Sequence, residues 1–154
     1  MKRKLTIRRA HRGDMETLVK QNIALAEETE NLHLDEEIVI PGVEAVLNDP
    51  HKGIYLIAES DGEIAGQLMI TNEWSDWRNG YFWWIQSVYV QPKFRKLGVY
   101  RALYQFVKQL AQQETPVRGI RLYVDKNNTI ARKAYFNLGM SESHYLLLED
   151  RLDG

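Results

Sequence analysis

The chain has no cysteine among its 154 residues, which excludes disulfides and thiolate metal sites and makes a reducing cytoplasm the compartment that fits. It has no apolar stretch near the roughly 20 residues needed to cross a bilayer, so no membrane role is expected. The basic start, Met1-Lys2-Arg3-Lys4, runs straight into the alternating Leu5 and Ile7 and lacks the apolar core of a secretion signal. An excess of one charge is missing too. Twenty Lys and Arg face 21 Asp and Glu, so no global field is available to hold a polyanion, which argues against nucleic-acid binding. Linkers, repeats and low-complexity tracts are absent. The length and the 44% hydrophobic content suit a single core, and one domain spanning residues 1–154 is expected.

Hydrophobic periodicity supplies the elements. Leu5 to Arg9 alternates and reads as a strand, after which Gly13 and Asp14 read as a turn and helix N-cap. Met15, Leu18, Val19, Leu25 and Ala26 share one face of a first helix, which ends in the acidic run Glu27, Glu28, Glu30. Carboxylates there oppose the helix macrodipole, so the run either frays into a loop or serves something positively charged. Pro41 and Gly42 interrupt the next segment, leaving a short second helix over 43–47. Strands follow over 54–59 and 64–71 around the Asp61-Gly62 turn. Residues 73–80 read as a loop. Residues 81–90 are apolar on both faces except at Gln86 and Ser87, as in a central strand. A helix over 97–113, a strand over 119–124, a helix over 128–138 stopped by Gly139, and a last strand over 145–148 complete the chain.

The junction from Val88, Tyr89 and Val90 through Arg95-Lys96-Leu97-Gly98-Val99-Tyr100-Arg101 is where chemistry is most readable. A buried strand leads through a basic, glycine-bearing turn into a helix whose first amides have no intrahelical partners. Those amides suit a phosphate, Gly98 lets the backbone approach it, and Arg95, Lys96 and Arg101 add charge. The alternative is a basic turn with glycine chosen for its backbone alone.

Arg95-Lys96-Leu97-Gly98-Val99-Tyr100 resembles the Gln/Arg-x-x-Gly-x-Gly/Ala motif of the GNAT superfamily of N-acetyltransferases, departing from it at Tyr100. Downstream, the run from Leu122 through Asn128, Ala131 and Tyr135 to Gly139-Met140 resembles that family's strand, Asn-x-x-Ala helix and Tyr followed by Gly-Phe. The resemblance implies an α/β three-layer fold, with a mixed, mostly antiparallel central sheet flanked by helices. It implies acetyl-coenzyme A as cofactor and the primary amine of a small molecule or peptide as acceptor, attacked directly in a ternary complex. It further implies that the amides of 95–101 wrap the pyrophosphate, that the backbone of Val88, Tyr89 and Val90 meets pantetheine, and that Asn128 and Ala131 line the cofactor. Tyr135 would protonate the departing thiolate. No metal is implied, and a homodimer is left open.

Where many family members carry a glutamate base, this chain has Gln86, which cannot act as one. The amine's proton would leave through water to Glu27, Glu28, Glu73 or His33, or the amine would bind already neutral. For the acceptor, the acidic end of the first helix and Trp74 offer a carboxylate and an aromatic face to a cation. The plainer account makes Trp83 and Trp84 core residues, Trp74 and Trp77 loop pins, and the carboxylates solvated surface. Two rival functions stand beside transfer: a non-catalytic acyl-coenzyme A binding module, and a Trp-rich interaction domain that binds no cofactor.

Overall fold

A computed structural model describes residues 4–113 and 116–153; Met1, Lys2 and Arg3 of the basic start lie outside them. The chain forms two compact units, Met1–Tyr123 and Val124–Gly154. In the first, strands β1 (Leu5–Arg9), β2 (Ile54–Ser60), β3 (Glu63–Ser75), β4 (Gly80–Val90) and β5 (Val117–Leu122) make one sheet in the order β1-β2-β3-β4-β5. The first four are antiparallel neighbours. β5 pairs with β4 in parallel, a connection that needs a crossover, and helix α3 (Val99–Gln113) supplies it.

Helices α1 (Met15–Glu30) and α2 (Glu36–Asn48) bury Leu18, Val19 and Val43 against Tyr55 and Ile57 of β2. Leu56 alternates with those two residues and is fully buried on the opposite face. There α3 packs through Leu103, Tyr104 and Val107. The helix–sheet–helix layering and the mixed, mostly antiparallel sheet are as the sequence implies.

Local departures have identifiable causes. The second helix runs the full length of Glu36–Asn48 rather than 43–47. Asp35 caps it by accepting from the Glu37 amide at 2.9 Å, and Pro41 sits on the exposed side, where the lost hydrogen bond falls to solvent. Asp14 does not cap α1 with its side chain. It turns inward and accepts from the His11 amide at 2.8 Å and from both Arg8 Nη atoms at 2.8 and 2.9 Å. The segment expected as a loop over 73–80 is strand except for 76–79, because cross-strand partners hold its polar residues in the ladder. Two short 3-10 turns, Arg12–Asp14 and Pro92–Phe94, precede the helices on either side of the hairpins.

In the second unit, α4 (Thr129–Asn137) ends as expected at Gly139, whose φ of +99° admits the Met140 N–H to the Tyr135 carbonyl at 3.1 Å. The strand expected over 145–148 does not form. Tyr145-Leu146-Leu147-Leu148 is an unalternating apolar run with no ladder partner among the described residues, and Leu146 and Leu148 are 82% and 87% exposed.

Candidate active site

The site begins with a fault in β4. Gly66 and Gln67 of β3 face Val90 and Tyr89, yet Met69 faces Gln86, so β4 carries one extra residue between them. Ser87 absorbs it with a left-handed φ of +52°, unusual for a non-glycine residue. Buried Gln67 braces the bulge by donating its Nε2 to the Ser87 carbonyl at 3.3 Å. The close approach of the two strands requires glycine at 66, since a Cβ there would lie 2.7 Å from the Tyr89 carbonyl oxygen. On its other side β4 pairs with β5 only from Tyr81–Val117 to Ile85–Leu122. Gln86 through Val90 therefore project beyond that ladder, and this stretch contains Val88, Tyr89 and Val90, the residues read as cofactor contacts.

Past the 3-10 turn, Lys96 and Gly98 both take positive φ, +66° and +82°, before α3 opens at Val99. The first intrahelical bond runs from Ala102 N to Gly98 O at 3.0 Å, so the amides immediately before it face outward from the helix start. No atom beyond its chain neighbours lies within 4 Å of a Cβ built at Gly98. Leu97 is exposed, whereas Val99 is buried. Tyr100, the departure from the family's small residue, lays its ring along α3, 6.3 Å from that of Tyr104 one turn on. Arg101 is exposed. Arg95 turns back toward β4, donating Nε to the Val90 carbonyl at 2.9 Å.

Asn128 in the second unit caps α4, its side-chain oxygen accepting from the Ala131 amide at 3.1 Å. Tyr135 follows Ala131 by one turn. Burial pushes its phenol up from the ordinary value, so it stays protonated further into alkali.

The proposed proton routes are mostly committed elsewhere. Gln86 donates to Thr71 Oγ1 at 2.6 Å. Glu73 accepts from Trp84 Nε1 at 2.8 Å and from Arg121 at 3.2 Å. Glu28 is held by Arg95. Glu27 meets His33 Nδ1 at 2.9 Å on the surface. These two contacts give Glu27 and Glu28 of the acidic end of α1 a nitrogen partner each. The aromatic and acidic run is likewise satisfied from within. The Arg121 guanidinium stands 3.6 Å from the Phe82 ring centroid, Trp83 is buried, and Trp84 stacks on Tyr123 at 4.5 Å. Trp74 packs edge-on to Tyr81 at 5.0 Å. Trp77 at the hairpin tip is exposed.

The sequence reading missed Gly66, Gln67, Arg121 and Tyr123. Only Gly66 left a signal, as a glycine inside a strand. No group of three or more His, Cys, Asp or Glu suited to a metal occurs among the described residues.

The acetyltransferase (GNAT) family profile matches residues 16–140. The structure resembles that of a possible acetyltransferase from Clostridium difficile 630 with a TM-score of 0.91 and 40% identity, over 96% of this chain and 97% of that one. An integron cassette protein from the mobile metagenome of Cole Harbour Salt Marsh aligns at TM-score 0.82 and 25% identity, over 95% and 90% of the two chains. The aminoglycoside N-acetyltransferase AAC(6')-Iy, solved with the bisubstrate analog CoA-S-monomethyl-acetylneamine, shares the fold at TM-score 0.77 and 19% identity, over 97% and 99%. A search of curated protein sequences finds no match. The chain belongs to the acetyltransferase (GNAT) family. The chemistry that goes with the family is acetyl transfer, with acyl-coenzyme A as donor.

Proposed function

We propose that this protein transfers an acetyl group from acetyl-coenzyme A to the primary amine of a small molecule or peptide within a ternary complex. The observation that carries the proposal is the projection of residues 86–90 of β4 beyond β5, with the bulge at Ser87 and the left-handed turn at Lys96 and Gly98 immediately following. A strand without its neighbour offers backbone groups to the amides of pantetheine, and the turn and helix start offer amides to the pyrophosphate. The neutral amine nitrogen attacks the thioester carbonyl and the carbon–sulfur bond breaks. In the role the family motif implies, Tyr135 gives its phenolic proton to the leaving sulfur, and the proton shed by the new amide nitrogen passes to water, from which the phenolate recovers its own. A β4 amide aimed at the carbonyl oxygen would stabilise the charge that develops there, an effect of several kcal/mol when preorganised. Gln86 supplies no base, Glu73 and Glu28 are held in ion pairs, and Glu27 and His33 face each other. The amine therefore reaches the thioester neutral, its proton lost to water.

The acceptor in AAC(6')-Iy and related fold neighbours is an aminoglycoside, and a compact, polar primary amine is the class to screen first. A non-catalytic acyl-coenzyme A binder is favoured by Gln86 at the position of the usual base. Calorimetric titration with acetyl-coenzyme A, followed by thiol release across a panel of primary amines, separates the two. Binding with release supports transfer, binding without release supports the module, and a flat titration removes both.

A further inference from the structure

The end of α1 is fastened to the cofactor side of the sheet by a contact spanning 67 positions of sequence. Both Glu28 carboxylate oxygens lie 3.1 Å from Nη2 of Arg95, while Arg95 Nε is spent on the Val90 carbonyl and its guanidinium stands 5.5 Å from the Tyr89 ring centroid. Arg95 is the first residue of the turn that leads to Gly98, and Val90 is the last residue of β4. One side chain thus ties together the end of the splayed strand, the start of the turn and the C-terminal turn of α1. An arginine already facing a carboxylate has little charge left to offer a phosphate. Its fixed planar fork is well suited to hold geometry instead.

We infer that Arg95 is a positioning residue for the phosphate turn rather than a phosphate ligand, and that Glu28 is the strut that holds it. This rests on the reading of residues 95–101 as the coenzyme A site. It also reassigns Glu28, which the sequence offers as an acceptor contact. The two roles for Arg95 predict opposite signs for Glu28→Gln. If Arg95 bound phosphate directly, removing the competing carboxylate and its negative charge would tighten the binding of a polyanion. If Arg95 is held in place by Glu28, the same change loosens the turn and weakens binding.

The test is calorimetric titration of acetyl-coenzyme A into the full chain and its E28Q, R95Q, E28Q/R95Q and E28R/R95E variants, with 3′-dephospho-coenzyme A as a second titrant. The pair is half-exposed, 45% for Arg95 and 40% for Glu28, so each single change should weaken binding by about three- to fivefold. The double variant should be no weaker than either single one, because both act through one contact. The charge-reversed pair should recover most of the loss, and the fold-losses should be the same for both titrants. Unchanged or tighter binding by E28Q, multiplying losses, or no recovery in the reversed pair would overturn the strut. A parent protein that binds no acetyl-coenzyme A would sink the coenzyme A reading and the strut with it, whereas equal binding by parent and E28Q sinks the strut alone.

Discussion

Tyr135 and Asp14 are both shifted away from their ordinary pKa values, in opposite directions and with opposite consequences. Burial holds the Tyr135 phenol above its ordinary value of 10.0. An acid must be protonated to act, so any alkaline fall in turnover due to Tyr135 should have its midpoint above that value. Tyr135→Phe should lower kcat by about 10²-fold while leaving acetyl-coenzyme A affinity nearly unchanged. Stopped-flow thiol release against pH measures both, and an unaltered kcat would remove Tyr135 as the acid. Asp14 is buried to 5% exposure. Burial alone would raise its carboxyl, but the Arg8 side chain and the His11 amide outweigh it and hold the group below its ordinary 3.8. A depressed carboxylate contributes stability that is present above the ordinary value and lost as the pH falls through the folded value beneath it. Asp14→Asn should therefore cost about 2 kcal/mol near neutrality, since Arg8 keeps Glu59 as a second partner. The gap between variant and parent should close in acid, as followed by urea denaturation at several pH values.

At the scale of elements, the β3–β4 hairpin decides the site, and Gly66 is its tightest point. Gly66→Ala places a Cβ 2.7 Å from the Tyr89 carbonyl and 3.2 Å from Val99 Cγ1, so a strand or the start of α3 must move. The expected result is a loss of about 1–3 kcal/mol of stability together with weakened acetyl-coenzyme A binding, checked by denaturant melts alongside calorimetry. Parent-like values for both would mean that the bulge is not what shapes the strand. Much of this hairpin was legible. Apolar runs bounded by turn residues gave Ile54–Ser60 and Gly80–Val90 almost in full, and Asp61-Gly62 marked a turn whose two residues both adopt positive φ. The reach of β3 to Ser75 was not, because what keeps Glu73 in the ladder is a bond from Trp84 on the next strand, and single-strand periodicity carries no cross-strand information. The bulge escaped for the same reason, since Gln86-Ser87 reads only as two polar residues in an apolar run. Helix α2 failed the other way. Pro41 breaks a helix in isolation, but on an exposed face it removes one solvent-side bond and little else.

For the molecule as a whole, the layered fold and the family follow from two short motifs and the order of elements between them. The backbone of the proposed cofactor side is legible because glycine, proline and periodicity report backbone. The acceptor side is not, because it depends on which side chains are already taken. Arg121 on Glu73, Arg95 on Glu28 and His33 on Glu27 could not be paired from a linear sequence, and each takes up a carboxylate that looked available. The pairing of β3 with β2 ends at Ile54–Ile70, although β3 continues to Ser75 along β4. From Thr71 onward, one side of β3 thus has no β2 neighbour. Every second amide between 71 and 75 should then exchange with deuterium by local fluctuation, while those over 66–70, flanked on both sides, should wait for opening of the whole sheet. Exchange followed residue by residue should change abruptly at Ile70, and uniform protection along β3 would show that something else covers the exposed edge.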